Sequence, residues 1–415
     1  MLFRSLFQLF PSIYDRAASL VSNPGEFFRE KQLYPRSQHQ LSKRELEDLE
    51  TKLADTPLSM LETGTGFAVL FTQILREYFQ VQPQVAFGYS MGESTMMYAL
   101  DVWSNADYGS NFVNSSELFR SRLAGAQNAV RDHWGMTKPP QQDGTELWSS
   151  YVLMAPASTV KECLKQENRV YLTHINTPTE VVIAGEPEGC KRVIEALGCD
   201  SFRSPTNLVL HCEAMASEYN ELSKLNSVSV SKTPDIVFYS SARYTPIPLD
   251  QNSIANHLAQ GVCQELDFPR LINRAYDDGA KLFIELGSGG TCTRWISDTL
   301  KQQDHLAVCI NPKRGDDHAA VVKVLAQLVS HQVSLNLSPL YSSVSETSVL
   351  ETGNQYKLLE TKLTSDINKS GIIGANFDKS VSFKSKPVAE LSQPMAETQT
   401  MTLVKDKISS QEFTY

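Results

Sequence analysis

The stretch Gln84-Val-Ala-Phe-Gly-Tyr-Ser-Met-Gly-Glu93 decides the reading of this 415-residue chain. Its first four residues predict a buried strand, and Gly88 to Gly92 then reads G-x-S-x-G before a helix-compatible run. Between a strand and a helix, such glycines permit a strained turn that lifts a serine hydroxyl over the sheet edge. Ser90 is therefore the candidate nucleophile, with a tight structural turn as the competing reading. The N–H of Met91 falls at the start of the helix, where it can donate to a developing oxyanion.

Outward from this turn, short β-branched or apolar runs alternate with longer amphipathic stretches, which predicts an α/β fold. Thr65 to Phe79 carries apolar residues at helical spacing, Lys281-Leu-Phe-Ile-Glu-Leu-Gly287 reads as a strand ending in a Gly-rich turn, and His305 to Ile310 reads as another strand. Ala319 to His331 predicts a final helix. Residues 150–206 have a different rhythm. Strands at Tyr151 to Met154, Val170 to Ile175, Val181 to Ala184 and Ser201 to Arg203 enclose helices at Thr159 to Gln166 and Gly189 to Leu197. That order, βαββαβ, predicts a ferredoxin-like insert, which would leave a cleft against the larger α/β part. The expected organisation is a large subdomain over 1–149 and 207–338, a small one over 150–206, and a linker or disordered tail over 339–415. In that tail 20 of the last 75 residues are Ser or Thr and no apolar period is sustained beyond a short helix near Tyr356 to Lys362.

Composition excludes several classes. A net charge of -9 argues against a nucleic-acid or anionic-membrane binder. No run reaches the roughly 20 apolar residues of a membrane span, and the N-terminus lacks the cleavage site of a signal peptide. The seven cysteines show no CxxC spacing, so neither a disulfide framework nor a metal site is expected, and a reducing, cytoplasmic setting is.

A serine nucleophile needs a base. Of the eight histidines, His39, His133, His305, His318 and His331 lie in polar contexts. His257 has no evident partner, His174 ends a strand of the insert, and His211 follows the apolar run Leu208-Val-Leu at the expected cleft. Position alone leaves the choice open.

Four motifs in order carry a resemblance that narrows it. Gly88-Tyr-Ser-Met-Gly-Glu93 resembles the G-H-S-x-G-E turn of the acyltransferase domains of fatty-acid and polyketide synthases. Asn176-Thr-Pro-Thr-Glu-Val-Val-Ile-Ala-Gly185 resembles their N-S-P-x-Q-x-V-I-A-G strand, His211-Cys-Glu-Ala-Met215 their histidine motif, and Phe283-Ile-Glu-Leu-Gly-Ser-Gly289 their E-x-G-P-G turn. The turn continuing into Met96-Met-Tyr-Ala-Leu-Asp-Val-Trp103, with tyrosine before the serine, is most similar to the acyltransferases of polyunsaturated fatty-acid and heterocyst-glycolipid-type synthases. The resemblance implies an α/β-hydrolase-like parallel-sheet core with the inserted subdomain. It also implies a ping-pong transfer from acyl-CoA through an acyl-Ser90 to the phosphopantetheine of an acyl carrier protein. His211 would be the base, oriented by a backbone carbonyl, with no bound cofactor and with other synthase domains as partners.

The chain departs from that pattern at several points. Arg122, in Leu118-Phe-Arg-Ser-Arg-Leu-Ala-Gly, matches the family's substrate-carboxylate arginine, whose fork suits a malonyl carboxylate. Leu123 replaces the glycine after it, and a surface arginine is the alternative. Tyr89 stands where the family has histidine, and Asn176 is carried over as a substrate-side residue. Leu208-Val-Leu-His211 matches neither usual extender pattern, and Asp267 replaces a glutamine. Malonyl and an uncharged or longer acyl group both stay open. The family's opening strand and G-Q-G loop have no match before Leu6-Phe-Gln-Leu-Phe-Pro-Ser-Ile-Tyr-Asp15, so a piece of a longer synthase subunit is expected. A catalytically weak docking or product-selecting module and an α/β-hydrolase-type esterase or thioesterase are the alternative functions.

Overall fold

Alternating apolar runs assemble here into short strands wrapped by helices, in a computed structural model that describes residues 10, 13–29, 42, 44, 45, 48, 49, 57–136, 146–204, 207–312 and 317–341. All of them belong to one compact unit, Met1–Ser343. The expected tail beyond residue 341, its short helix, and the residues before Phe10 on which the expectation about a first strand turns lie outside the described residues.

Helices α1 (Ile13–Leu20), α2 (Pro24–Phe27) and α3 (Pro57–Gln73) precede the first strand. The α3 helix starts eight residues before the expected Thr65 and runs into a π-turn at Ile74–Tyr78. It is apolar on most sides because it is buried on most sides: Phe67, Val69, Leu70 and Phe71 are all inaccessible. Strand β1 is only Val85–Ala86, and it pairs in parallel with β6, Val237–Phe238. Helix α4 (Gly92–Ala99) follows β1, then α5 (Asp107–Ser115), a π-turn at Leu118–Arg122 and α6 (Asn128–His133).

The next segment is built as β2 (Ser149–Leu153), α7 (Ala157–Leu164), β3 (Val170–Thr177), β4 (Glu180–Gly185), α8 (Pro187–Leu197) and β5 (Ser201–Arg203). The four strands lie in the order β5-β2-β4-β3, every neighbour antiparallel. Alternate residues send Leu153, Val181 and Ile183 under the helices, where Val160 and Val193 meet them. Each such side chain contributes about 2 kcal/mol on burial.

A fifth strand, β7 (Leu266–Asp267), adds to the edge of this sheet in parallel with β3, pairing His174 with Leu266 and Ile175 with Asp267. This is how the small sheet reaches the rest of the unit. Just before β7 comes α10 (Gln251–Val262), reached through α9 (Tyr219–Leu225), and after β7 come α11 (Phe268–Asp277), β8 (Leu282–Gly289) and α12 (Thr291–Thr299). Strand β9 (Leu306–Pro312) pairs in parallel with β8, and α13 (Asp317–Ser330) and a 3₁₀ turn at Ser338–Leu340 follow it. The β1–β6 and β8–β9 pairs are parallel and form separate two-stranded ladders among the described residues, where a parallel-sheet core is expected. The strand end expected at Leu208 to Leu210 is extended backbone outside any sheet.

Candidate active site

Ser90 sits on a left-handed turn. Its φ is +52°, a conformation that costs a non-glycine residue on the order of 1 kcal/mol. The turn is closed by Gly92 N–H donating to the Tyr89 carbonyl at 2.9 Å and Glu93 N–H to the Ser90 carbonyl at 3.1 Å. Gly88 makes it possible: a Cβ there would lie 2.0 Å from the Gly92 carbonyl carbon and 2.1 Å from the Glu93 nitrogen. Gly92, by contrast, has open space where a Cβ would go. Of the two motif glycines, the first is the one sterics require.

His211 arrives from the far side. Its φ is also left-handed, +55°, and its side chain is buried. Helix α10 ends in carbonyls with no partner further along the helix, and His211 takes two of them. Its N–H donates to Val262 at 2.7 Å, and its Nδ1 lies 2.8 Å from the Gly261 carbonyl. A carbonyl only accepts, so Nδ1 carries the proton and the Nε2 lone pair is free. Nε2 lies 2.7 Å from Ser90 Oγ, which donates to it. Burial lowers the His211 pKa to about 4, with the Gly261 bond partly opposing the shift, so the ring is neutral at physiological pH. A neutral base on a serine hydroxyl, beside the helix start that carries Met91, is the arrangement nucleophilic acyl substitution requires.

A stacked and hydrogen-bonded network lies around the pair. The His174 ring centroid is 4.6 Å from that of His211 and 5.5 Å from that of Tyr89. Burial holds His174 well below its ordinary pKa, and the neighbouring His211 adds to the shift. The Tyr89 hydroxyl donates to Asn176 Oδ1 at 2.8 Å, and Asn176 Nδ2 donates to Glu180 at 3.1 Å. Glu180 is in turn held by Trp295 Nε1 and Arg294, each at 2.8 Å. Tyr89 and Asn176, carried over from sequence as substrate-side residues, are thus bonded to each other beside the Ser90–His211 pair, and neither lines the cavity next to it.

A cavity of about 190 Å³ is lined by Ser90, Met91 and His211. Glu93, one residue into α4, also lines it and was not singled out by sequence reasoning. Its carboxyl is buried, accepts from the N–H and hydroxyl of Ser241, and has its pKa raised to about 7 by burial. Its only sequence signal was its place in the G-x-S-x-G-E run.

Arg122 does not line this cavity. It lies at a second hollow with Glu218, Glu221 and Lys224. Its Nε donates to Glu218 at 3.0 Å and its Nη1 meets Asp132 at 2.6 Å. The expected carboxylate-binding arginine is thus held in an ion-pair triad, because Glu218 is buried and requires a cation. Asp267 caps α11 by accepting from Arg270 N–H at 3.0 Å, and Glu285 caps α12, accepting from Thr293 N–H at 2.7 Å. All seven cysteines are free thiols. Among the described residues no cluster of His, Cys, Asp and Glu is placed to hold a metal ion, and no helix is long and apolar enough to cross a membrane.

The architecture is the mixed α/β fold of acyltransferase domains. It superposes on the acyltransferase domain from the second module of the salinomycin polyketide synthase with a TM-score of 0.59 and 18% identity, covering 83% of this chain and 72% of that one. It also superposes on the malonyl-CoA:acyl carrier protein transacylase of Xanthomonas oryzae pv. oryzae with a TM-score of 0.57 and 17% identity, covering 77% and 92%. Among its homologues is a polyunsaturated fatty acid synthase subunit from a Thraustochytrium species, 25% identical over 316 residues. That alignment takes in 72% of this chain and only 15% of the relative's length. No protein-family model matches the chain.

Proposed function

We propose that this chain is an acyltransferase that moves an acyl group from acyl-CoA to the phosphopantetheine thiol of an acyl carrier protein. The observation that carries the reading is the 2.7 Å contact of Ser90 Oγ with His211 Nε2, with Nδ1 of the same ring on the Gly261 carbonyl. His211 takes the Ser90 proton as Oγ bonds to the thioester carbon. The C–S bond then breaks, and the proton passes to the leaving CoA sulfur. In the second half the carrier thiol gives its proton to His211 and attacks the acyl-serine carbon, and the returning proton restores the Ser90 hydroxyl. Met91 N–H is the oxyanion donor in both halves.

The β5-β2-β4-β3 order and the parallel pairs support reading the fold as a ferredoxin-like subdomain inserted in an α/β-hydrolase-like core. Other synthase domains or subunits are the natural partners of a chain that aligns with part of a longer synthase polypeptide, and free thiols fit a cytoplasmic setting. Incubation with acyl-CoA followed by intact-protein mass spectrometry tests the reading. An adduct on the wild type, absent from Ser90→Ala and passed to added carrier protein, is the expected result. Release as free acid instead would make the chain a thioesterase, and no adduct with any acyl-CoA would leave the docking-module alternative.

A further inference from the structure

The Ser90 cavity is apolar where a malonyl site needs a cation. Beyond the catalytic pair its walls are mainly apolar, among them Leu61, Val113, Leu208, Leu210, Leu225 and Leu258, with a few hydroxyl and amide side chains such as Thr65 and Asn226, and among the described residues no lysine or arginine lines it. The two acidic residues that do line it are Glu62 and Glu93. The guanidinium of Arg29 is bound to Glu62, whose other oxygen accepts from Ser110 Oγ at 2.6 Å and Asn114 Nδ2 at 2.8 Å. Arg122 is turned to Glu218 and Asp132 at a separate hollow.

We propose that the acyl group carried by Ser90 is an uncharged hydrocarbon chain several carbons long, and not a malonyl-type acid. A free carboxylate in this cavity would lose its hydration with no lysine or arginine lining it among the described residues, since the Arg29 guanidinium is already taken by Glu62, whereas methylene groups are favoured by such walls. The lining runs from Ser90 and His211 to Trp103, Ala106 and Leu225, so the chain has room to lie beyond the reacting carbon. The inference rests on the acyltransferase reading above, and the experiment separates the two.

The rate of Ser90 acylation is measured by intact-protein mass spectrometry with acetyl-, butyryl-, octanoyl- and malonyl-CoA, using Ser90→Ala to identify site-specific adducts. The expected order places octanoyl- or butyryl-CoA at least tenfold above malonyl-CoA. Malonyl-CoA equal to or faster than the saturated chains overturns the proposal while leaving the acyltransferase reading standing, and no Ser90 adduct from any donor overturns both. Val113→Trp, which fills the cavity from α5, is expected to lower the octanoyl-to-acetyl ratio at least fivefold. Leu225→Phe serves the same purpose where the tryptophan variant does not fold. An unchanged ratio in a folded variant overturns the placement of the chain.

Discussion

His211 Nδ1 lies 2.8 Å from the carbonyl oxygen of Gly261, so the ring that meets Ser90, the proposed base, is oriented by the backbone at a helix end. A carbonyl fixes the tautomer as a carboxylate would, but it stabilises the imidazolium less, because it carries no net charge. Burial therefore dominates and the ring titrates at about 4, well under the 6.5 of an ordinary histidine. The neutral, proton-accepting form is thus present above about pH 4. Acylation of Ser90 is expected to be level from about pH 6 to 8 and to fall to half near pH 4. Stopped-flow or quenched-flow acylation across that range checks it, and a midpoint near 6.5 would contradict the geometry. His211→Ala is expected to lower the rate roughly 10³-fold, in line with loss of general-base catalysis.

The two glycines of the turn are expected to behave differently. A Cβ at residue 88 would lie 2.0 Å from the Gly92 backbone, which only a shift of the helix start can relieve. Gly88→Ala is expected to cost about 3 kcal/mol, the upper range for overpacking, and to displace Ser90 from His211. Gly92→Ala meets nothing within 4 Å and sits in a helix, where alanine is the better former. Thermal melts with acylation rates decide the matter: equal effects of the two substitutions would contradict the asymmetry.

What sequence could reach here were local features. The helix at Pro187 to Leu197 and the strand-turn-helix around Ser90 are set by neighbours in the chain, since periodicity and glycine placement report local backbone geometry. Gly261 as the partner of His211 lies 50 residues away, and a backbone carbonyl leaves no mark on residue identity. Arg122 looked like a ligand clamp because its own segment matched one. Its partner Glu218 is 96 residues on, and the pairing is decided by packing of the helices between them. His174 reaches His211 only because β7 pairs with β3 and fixes the edge of the small sheet beside α10. Long-range pairing of this kind carries no period to read.

Arg122→Ala is expected to act on stability. It leaves Glu218, 7% exposed at the side chain, with the Ser217 hydroxyl and without its cation, a loss of about 2 kcal/mol. Arg122→Ala combined with Glu218→Gln should recover much of that, because the unpaired charge is gone. Chemical denaturation of the two variants checks the coupling, and the ratio of malonyl to butyryl acylation should stay within about twofold of wild type. A selective loss of malonyl transfer would instead restore Arg122 to the role its segment suggested.

Glu93 supplies a pH signature that does not depend on any substrate. Its folded pKa is raised by burial from 4.5 to about 7, with the Ser241 bonds opposing the shift. A raised carboxyl binds more protons folded than unfolded between those two values, so stability falls as pH rises through that window. The contribution is fully present below about pH 4.5 and is lost by the time pH passes about 7. Glu93→Gln keeps the shape and one acceptor for the Ser241 N–H, with its Nε2 donating to the Ser241 hydroxyl instead of accepting from it, while removing the titration. The wild-type melting temperature is therefore expected to drop between pH 5 and pH 8 relative to the variant, leaving Glu93→Gln several degrees more stable at pH 8. Parallel melting curves across that range would mean that Glu93 stays ionised in the fold, held by a cation that its present neighbours Ser240 and Ser241 do not provide.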